Sequence, residues 1–269
     1  MFHFPYAHPL PDTVRQRVDA ELSALETRYR VRVLFACESG SRAWGFASPD
    51  SDYDVRFLYV HEPEWYLRVQ AQRDVIELPI SDELDISGWE LRKALRLLAA
   101  GNPTLFEWLQ SPLLYRAEPQ FVAELLALAA HCHSPLKSRW HYLSMARKNF
   151  RGYLQGDMVR WKKYLYVLRP LLAAAWLDAG RGMVPMRFAD LASAMVHEPA
   201  LAAAITELLQ RKMQAGEAAV GPAMPQVDAF IRKALAQYDA APPLPAPTGT
   251  DGLDALLYRQ VLGITSSLA

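Results

Sequence analysis

The chain has 269 residues, 51% hydrophobic and 22% charged, with 29 Lys plus Arg balanced by 29 Asp plus Glu. That composition can bury the cores of two modest domains; it excludes a disordered chain and the global positive field of a general nucleic-acid binder, so any polyanion must meet a local patch. No run approaches the roughly 18 apolar residues that span a bilayer, the start MFHFPYAHPLPD lacks a signal-peptide pattern, and Cys37 and Cys132 lack metal-ligand spacing, which together predict a cytoplasmic protein in solution with no membrane partner.

Val14, Val18, Leu22 and Leu25 share one helical face and predict an opening helix over 12–28. VRVLFAC at 31–37 reads as a strand, ESGSRAWGFASPDS as a turn-rich loop and YDVRFLYV at 53–60 as a second strand. Short strands are expected at 75–80 and 83–87, followed by a helix in GWELRKALRLLAA, where Leu91, Leu95 and Leu98 align. From Glu118 onward apolar residues recur at helical spacing almost everywhere, as in Phe121, Leu125 and Leu128, or Leu165, Leu168, Leu172 and Trp176. The expected fold class is α+β: a mixed sheet with flanking helices over 1–115, a helical bundle over 116–240, and a Pro/Ala-rich linker with a short helix over 241–269.

The informative segment begins at Gly40. A glycine lets the backbone approach a ligand, and Ser41 adds a hydroxyl and an N–H able to hold a phosphate oxygen. Alone, the pair is an ordinary turn. Asp52 and Asp54 follow at the mouth of the second strand, where side chains two apart point to one face. Two adjacent carboxylates repel unless a cation lies between them, and paired hard oxygens are a usual way to hold Mg²⁺ against substrate phosphates. The competing reading of SPDSDYD is a solvated turn, which the strand-like DVRFLYV disfavours.

The Gly-Ser, spacer, Asp-x-Asp arrangement resembles the signature of DNA polymerase beta superfamily nucleotidyltransferases. The stretch ACESGSRAWGFASPDSDYDVRFLYV, with DVIELPI, LDISGWELRKALRLL, NPTLFEWLQSP and KKYLYVLRPLLAA, is similar to a narrower group of predicted nucleotidyltransferases associated with RNA repair. Ser39 departs from the apolar residue usual there in the broad superfamily. The resemblance implies that Gly40 and Ser41 contact a nucleoside triphosphate, that Asp52 and Asp54 hold two divalent ions, Mg²⁺ or Mn²⁺, and that a third carboxylate stands on a later strand. Asp85 and Glu77 each sit between apolar neighbours in strand-like segments, and Asp85 is favoured because it closes a strand just before a helix. The resemblance also implies a triphosphate-binding lysine from the following helices, for which Lys148 and Lys163 are the candidates. Arg42 reads equally as phosphate ligand or surface charge. The cations Lys148, Arg151, Arg160, Lys162, Lys163 and Arg169 stand among Tyr153, Trp161, Tyr164 and Tyr166, a mixture that suits either a nucleotide or a solvated helix face.

The bland residues are read as such. His131, Cys132 and His133 lack zinc spacing, Trp44, Trp89 and Trp108 suit core or pocket walls, and Asn102-Pro103 reads as a helix start. The implied reaction is attack of an acceptor hydroxyl on the α-phosphate of an NTP, with pyrophosphate released and the nucleotide held between the two domains. The association with RNA repair points to an RNA 3′ end as acceptor, met by a few contacts on the helical half. A protein hydroxyl or a small molecule would use the same core. The alternatives are a non-catalytic nucleotide-binding regulatory module and a metal-dependent phosphodiester hydrolase.

Overall fold

The computed structural model describes residues 8–81, 83–238, 244, 246–247 and 249–263. In chain order it contains α1 (Asp12–Tyr29), β1 (Val31–Glu38), α2 (Gly40–Trp44), β2 (Tyr53–His61), α3 (Pro63–Tyr66), β3 (Val75–Glu77), β4 (Leu84–Glu90), α4 (Leu91–Ala99), α5 (Pro103–Leu109), β5 (Leu114–Ala117) and α6 (Pro119–Cys132). These are followed by α7 (Pro135–Tyr153), β6 (Met158–Arg160), α8 (Trp161–Asp178), α9 (Phe188–Met195), α10 (Pro199–Gln214), β7 (Val220–Pro222), α11 (Pro225–Gln237) and α12 (Leu253–Leu262). The fold is mixed α+β and falls into two compact units.

The sheet unit comprises the described parts of Pro9–Gly40, Asp52–His133 and Pro247–Ala269. Its five strands run in the order β3-β4-β2-β1-β5. The only parallel pair among them is β2 with β4, in the register Asp54↔Asp85, Val55↔Ile86, Phe57↔Gly88. Gly88 is dictated by Phe57, whose ring would lie 2.3 Å from any Cβ at that position. Val18, Leu22 and Leu25 of α1 pack on Val33, Val55, Phe57 and Tyr59 of the sheet, each buried apolar side chain contributing about 1.5–3 kcal/mol relative to exposure.

The expected helix at 88–100 starts three residues late. Gly88 and Trp89 pair with Ile76 and Val75 of β3, so β4 continues to Glu90, and the Glu90 carboxylate then caps α4 by accepting from the Lys93 N–H at 3.2 Å. Asn102 caps α5 in the same way, accepting from Thr104 N–H at 3.0 Å, with Pro103 in the first turn. The third strand is shorter than expected, ending at Glu77.

The helical unit comprises the described parts of Met1–His8, Ser41–Ser51 and Ser134–Ala246. Helices α7 and α8 pack along each other, with α9, α10 and α11 against α8. A small antiparallel ribbon of β6 and β7 interrupts the otherwise helical pattern expected there. The loop after Gly40 belongs to this core: Phe46 is fully buried among Tyr142, Leu143 and Leu168, 5.9 Å edge-on to Phe188, and Trp44 lies 5.4 Å edge-on to Tyr166.

The boundaries therefore differ from a cut at residue 115. Strand β5 completes the sheet beside β1, and α12 returns to pack on α4 and α6, so the division falls after His133 and the tail helix joins the sheet unit. Much of the expected linker over 241–250 lies outside the described residues. Among the described residues no helix is long and apolar enough to cross a membrane.

Candidate active site

The site is assembled at the ends of β1, β2 and β4. Strand β1 terminates in Glu38, which is fully buried although acidic. Its carboxylate accepts from the Asp54 backbone N–H at 2.8 Å and from the Tyr115 hydroxyl, while its carbonyl accepts from Ser111 Oγ at 2.6 Å. The Asp54 carbonyl in turn accepts from Ser39 N–H at 2.8 Å. Asp54 is thus clamped on both backbone polar groups, which fixes the direction of its side chain.

Asp54 and Asp85 stand opposite each other in the β2–β4 ladder, and Arg56, two residues along β2, reaches over both. Arg56 Nη2 donates to Asp54 Oδ1 at 3.0 Å and to Asp85 Oδ2 at 2.8 Å, while Nη1 donates to the Val55 and Asp85 carbonyls, each at 3.0 Å. The three side chains are only 19%, 30% and 33% exposed. Two partly buried like charges held this close need a cation between them, and here a guanidinium supplies it.

Gly40 completes the arrangement. Its φ is +59°, a left-handed conformation that L side chains rarely adopt, and a Cβ built on it would stand 2.0 Å from Asp54 Oδ2. The carboxylate thus rests directly against a backbone without a side chain.

The other sequence-read residues fall in different settings. Asp52 is exposed and precedes the first residue of β2, and among the described residues no three His, Cys, Asp or Glu side chains are grouped to hold a metal ion. Glu77 lies on edge strand β3, 58% exposed, in an ion pair with Arg73 at 2.6 Å; the structure brings Asp85, not Glu77, beside Asp54. Ser41 and Arg42 are buried in the short helix α2, and the Arg42 guanidinium donates to the Ser51 carbonyl, tying the two ends of the loop together. Lys148 is exposed on α7. The Lys163 ammonium lies 3.8 Å from the ring centre of Tyr153 and 5.2 Å from that of Tyr166; burial, then the nearby charges of Lys162 and Arg160, pull its pKa down.

Of the histidines, His133 packs edge-on to Phe106 at 5.1 Å, and the Cys132 thiol lies 3.5 Å from the Gly249 carbonyl. The Trp89 and Trp108 rings lie 4.0 Å apart, tilted by 35°, and Arg169 lies 4.8 Å over the Trp44 ring. A concavity lined by Tyr29, His61, Glu62, Glu64, Trp65 and Arg73 opens at the other end of β2 from Asp54. There His61 stacks on Trp65 at 4.4 Å, and its burial pulls its pKa down to about 4.

Within the helical unit a polar cluster was not read from the sequence. Lys212, 2% exposed, donates to Ser48 Oγ at 2.6 Å and to Glu217 Oε1 at 2.7 Å, Lys162 donates to Glu217 Oε2 at 2.7 Å, and Ser51 Oγ also donates to Glu217. The Glu217 N–H donates to the Asp50 carboxylate at 2.9 Å. Burial pushes the Glu217 pKa up, but donation from Lys162, Lys212 and Ser51 outweighs it and holds the carboxyl down at about 2. The cluster thereby pins the loop that leads into Asp52. The sole sequence signal was a lysine at a position of α10 whose neighbours Leu208 and Leu209 are core residues.

An uncharacterized protein of Bacillus subtilis (strain 168), YcgL, is 45% identical over 251 residues, covering 92% of this chain and 96% of that protein. The crystal structure of a nucleotidyltransferase-like protein from Exiguobacterium sibiricum 255-15 matches over 91% of this chain and 76% of that one, at 13% identity and a TM-score of 0.31. The family model that matches, over residues 14–259, is RlaP, described as the RNA repair pathway DNA polymerase beta family. With nearly the whole chain matched and a relative at this identity, the protein belongs to this RNA repair pathway DNA polymerase beta family.

Proposed function

We propose that the protein is a Mg²⁺- or Mn²⁺-dependent nucleotidyltransferase that moves a nucleoside monophosphate from an NTP to an RNA 3′ hydroxyl. The observation that carries this reading is the convergence of Asp54 and Asp85 on one cationic nitrogen, at 3.0 and 2.8 Å, with Gly40 pressed against the Asp54 carboxylate. The donor set fits a divalent ion: hard carboxylate oxygens, partly buried, on adjacent strands, from which the ion would displace the Arg56 guanidinium. Asp54 and Asp85, with Asp52 beside them in sequence, are the residues that would hold it. When bound, such ions supply charge neutralisation at the triphosphate and at the departing pyrophosphate.

The chain's own residues do the rest. Asp85 accepts the proton of the attacking hydroxyl as its oxygen bonds to the α-phosphorus, and the bond to the bridging oxygen breaks to release pyrophosphate. Gly40 and Ser41 offer backbone and hydroxyl to phosphate oxygens, and Lys148 and Lys163 are the candidate cations for the triphosphate. No covalent protein nucleophile is needed. A cytoplasmic location agrees with the buried, free thiols of Cys37 and Cys132.

A second reading, a nucleotide-binding regulatory module, is favoured by Arg56, which spans the space between the two acids. One experiment separates the two. The protein is incubated with Mg²⁺, each NTP in turn and a short RNA, either intact or with its 3′ end oxidised by periodate. One-nucleotide extension of the intact RNA with release of pyrophosphate supports transfer to the 3′ hydroxyl. NTP binding without pyrophosphate release supports the module.

A further inference from the structure

One long helix of this neutral chain carries a run of cations with no acid to balance them. Over its 19 residues α7 carries Lys137, Arg139, Arg147, Lys148 and Arg151 and no Asp or Glu. Arg139 is consumed internally, buried at 1% and bonded to Asp178 at 2.8 Å. Lys137, Lys148 and Arg151 are exposed, and Arg147, Lys148 and Arg151 share a face with a tryptophan. Trp140, Ser144, Arg147, Lys148 and Arg151 fall at helical spacing and line one shallow groove. Trp140 is 50% exposed, unusual for the largest aromatic side chain, and Tyr153 at the end of the helix is 51% exposed.

From Trp140 to Arg151 the helix rises about 16 Å, the length of about five nucleotides stacked at ~3.4 Å each. Cations along a groove meet phosphates, and an exposed indole offers a stacking face to a base that is not already paired. A duplex hides its base faces, so the tryptophan would gain nothing from one.

We propose that this face of α7 is a docking surface for single-stranded RNA, with Arg147, Lys148 and Arg151 on the phosphates and Trp140 stacked on a base. The assignment rests on the RNA-acceptor reading of the function. It gives Lys148 a contact with the acceptor strand rather than with the triphosphate.

The test measures fluorescence anisotropy of a labelled 12-nucleotide oligouridylate, without NTP or metal, across a salt series. Arg147→Glu, Lys148→Glu and Arg151→Glu together should weaken binding at least tenfold and flatten the log–log salt slope by about 2, at ~0.7 per lost phosphate contact. An equal charge change elsewhere, Arg28→Glu, Arg68→Glu and Lys233→Glu, should weaken it far less. Trp140→Ala should cost about fivefold or more, with Trp140→Phe restoring most of it. Circular dichroism establishes that each variant is folded.

Equal affinity of the wild type and the α7 triple variant overturns the proposal, as does tighter binding of a 12-base-pair duplex DNA than of the single strand. RNA extension by the wild type with an unchanged KM for RNA in the α7 variant also rejects this surface, while leaving the nucleotidyltransferase reading intact. Loss of RNA binding in the α7 variant, where no NTP supports extension, upholds the surface and rejects that reading.

Discussion

Asp54 and Asp85 face each other across the parallel β2–β4 ladder and share a single nitrogen of Arg56, 3.0 Å from one carboxylate and 2.8 Å from the other. The guanidinium neutralises a pair of acids that would otherwise repel. Arg56→Ala should therefore lower stability in the absence of divalent ions by roughly 1–3 kcal/mol, a fall of several degrees in Tm for a chain of this size. Mg²⁺ should recover more of that loss in the variant than it adds to the wild type, because the ion binds only the folded acids. A thermal scan of both proteins with and without Mg²⁺ checks this; an identical Mg²⁺ response would show that the two acids do not face a cation site.

Gly40→Ala isolates the contact with Asp54. The left-handed backbone at φ +59° costs an alanine about 1–2 kcal/mol. The larger effect should fall on activity, because the new methyl can be accommodated only by moving the Asp54 carboxylate. NTP turnover should drop at least ~30-fold while Tm falls by only a few degrees. A loss of activity no greater than that of Ser39→Ala would contradict the contact.

The Lys212–Glu217 cluster predicts a pH dependence of stability. The folded pKa of Glu217 lies at about 2, below its ordinary value, so the folded state favours the ionised carboxylate. The stabilisation is fully present above the unfolded carboxyl pKa of about 4.3 and is lost as pH falls toward the folded value. Urea unfolding between pH 6 and 3 should thus show a decline that Glu217→Gln flattens. Lys212→Met, which leaves a partly buried carboxylate short of a donor, should cost about 3 kcal/mol near neutral pH.

Much of the sheet is legible in the sequence, and the reason is local. VRVLFAC and YDVRFLYV carry the apolar content of buried strands, and the acid-flanking pattern around Asp85 marks its strand, so Asp54 and Asp85 can be named without coordinates. Arg56 shares the face of Asp54 by the same alternation and was legible in principle. Glu38 was less so: it ends an apolar run, and only the ladder reveals that it is buried and bonded to Asp54. The membership of the 41–51 loop in the helical unit was not legible, since it depends on Phe46 meeting Phe188. Lys212 and Ser48 stand 164 residues apart, a separation at which neither periodicity nor spacing carries a signal. The extension of β4 through Glu90 was masked by the helical spacing of the leucines that follow.

The central claim is that Asp54 and Asp85 are the catalytic acids of a nucleotidyltransferase acting on RNA. Its most direct test offers α-³²P-labelled NTPs and a mixture of tRNA and short RNAs to the wild type, Asp54→Asn and Asp85→Asn, with Mg²⁺ or Mn²⁺. The account predicts label on RNA with the wild type and a loss of at least ~100-fold in each folded variant, equivalent to about 2.7 kcal/mol of transition-state stabilisation. Label transfer that survives in both variants, or NTP binding with no transfer by the wild type to any RNA, would contradict it.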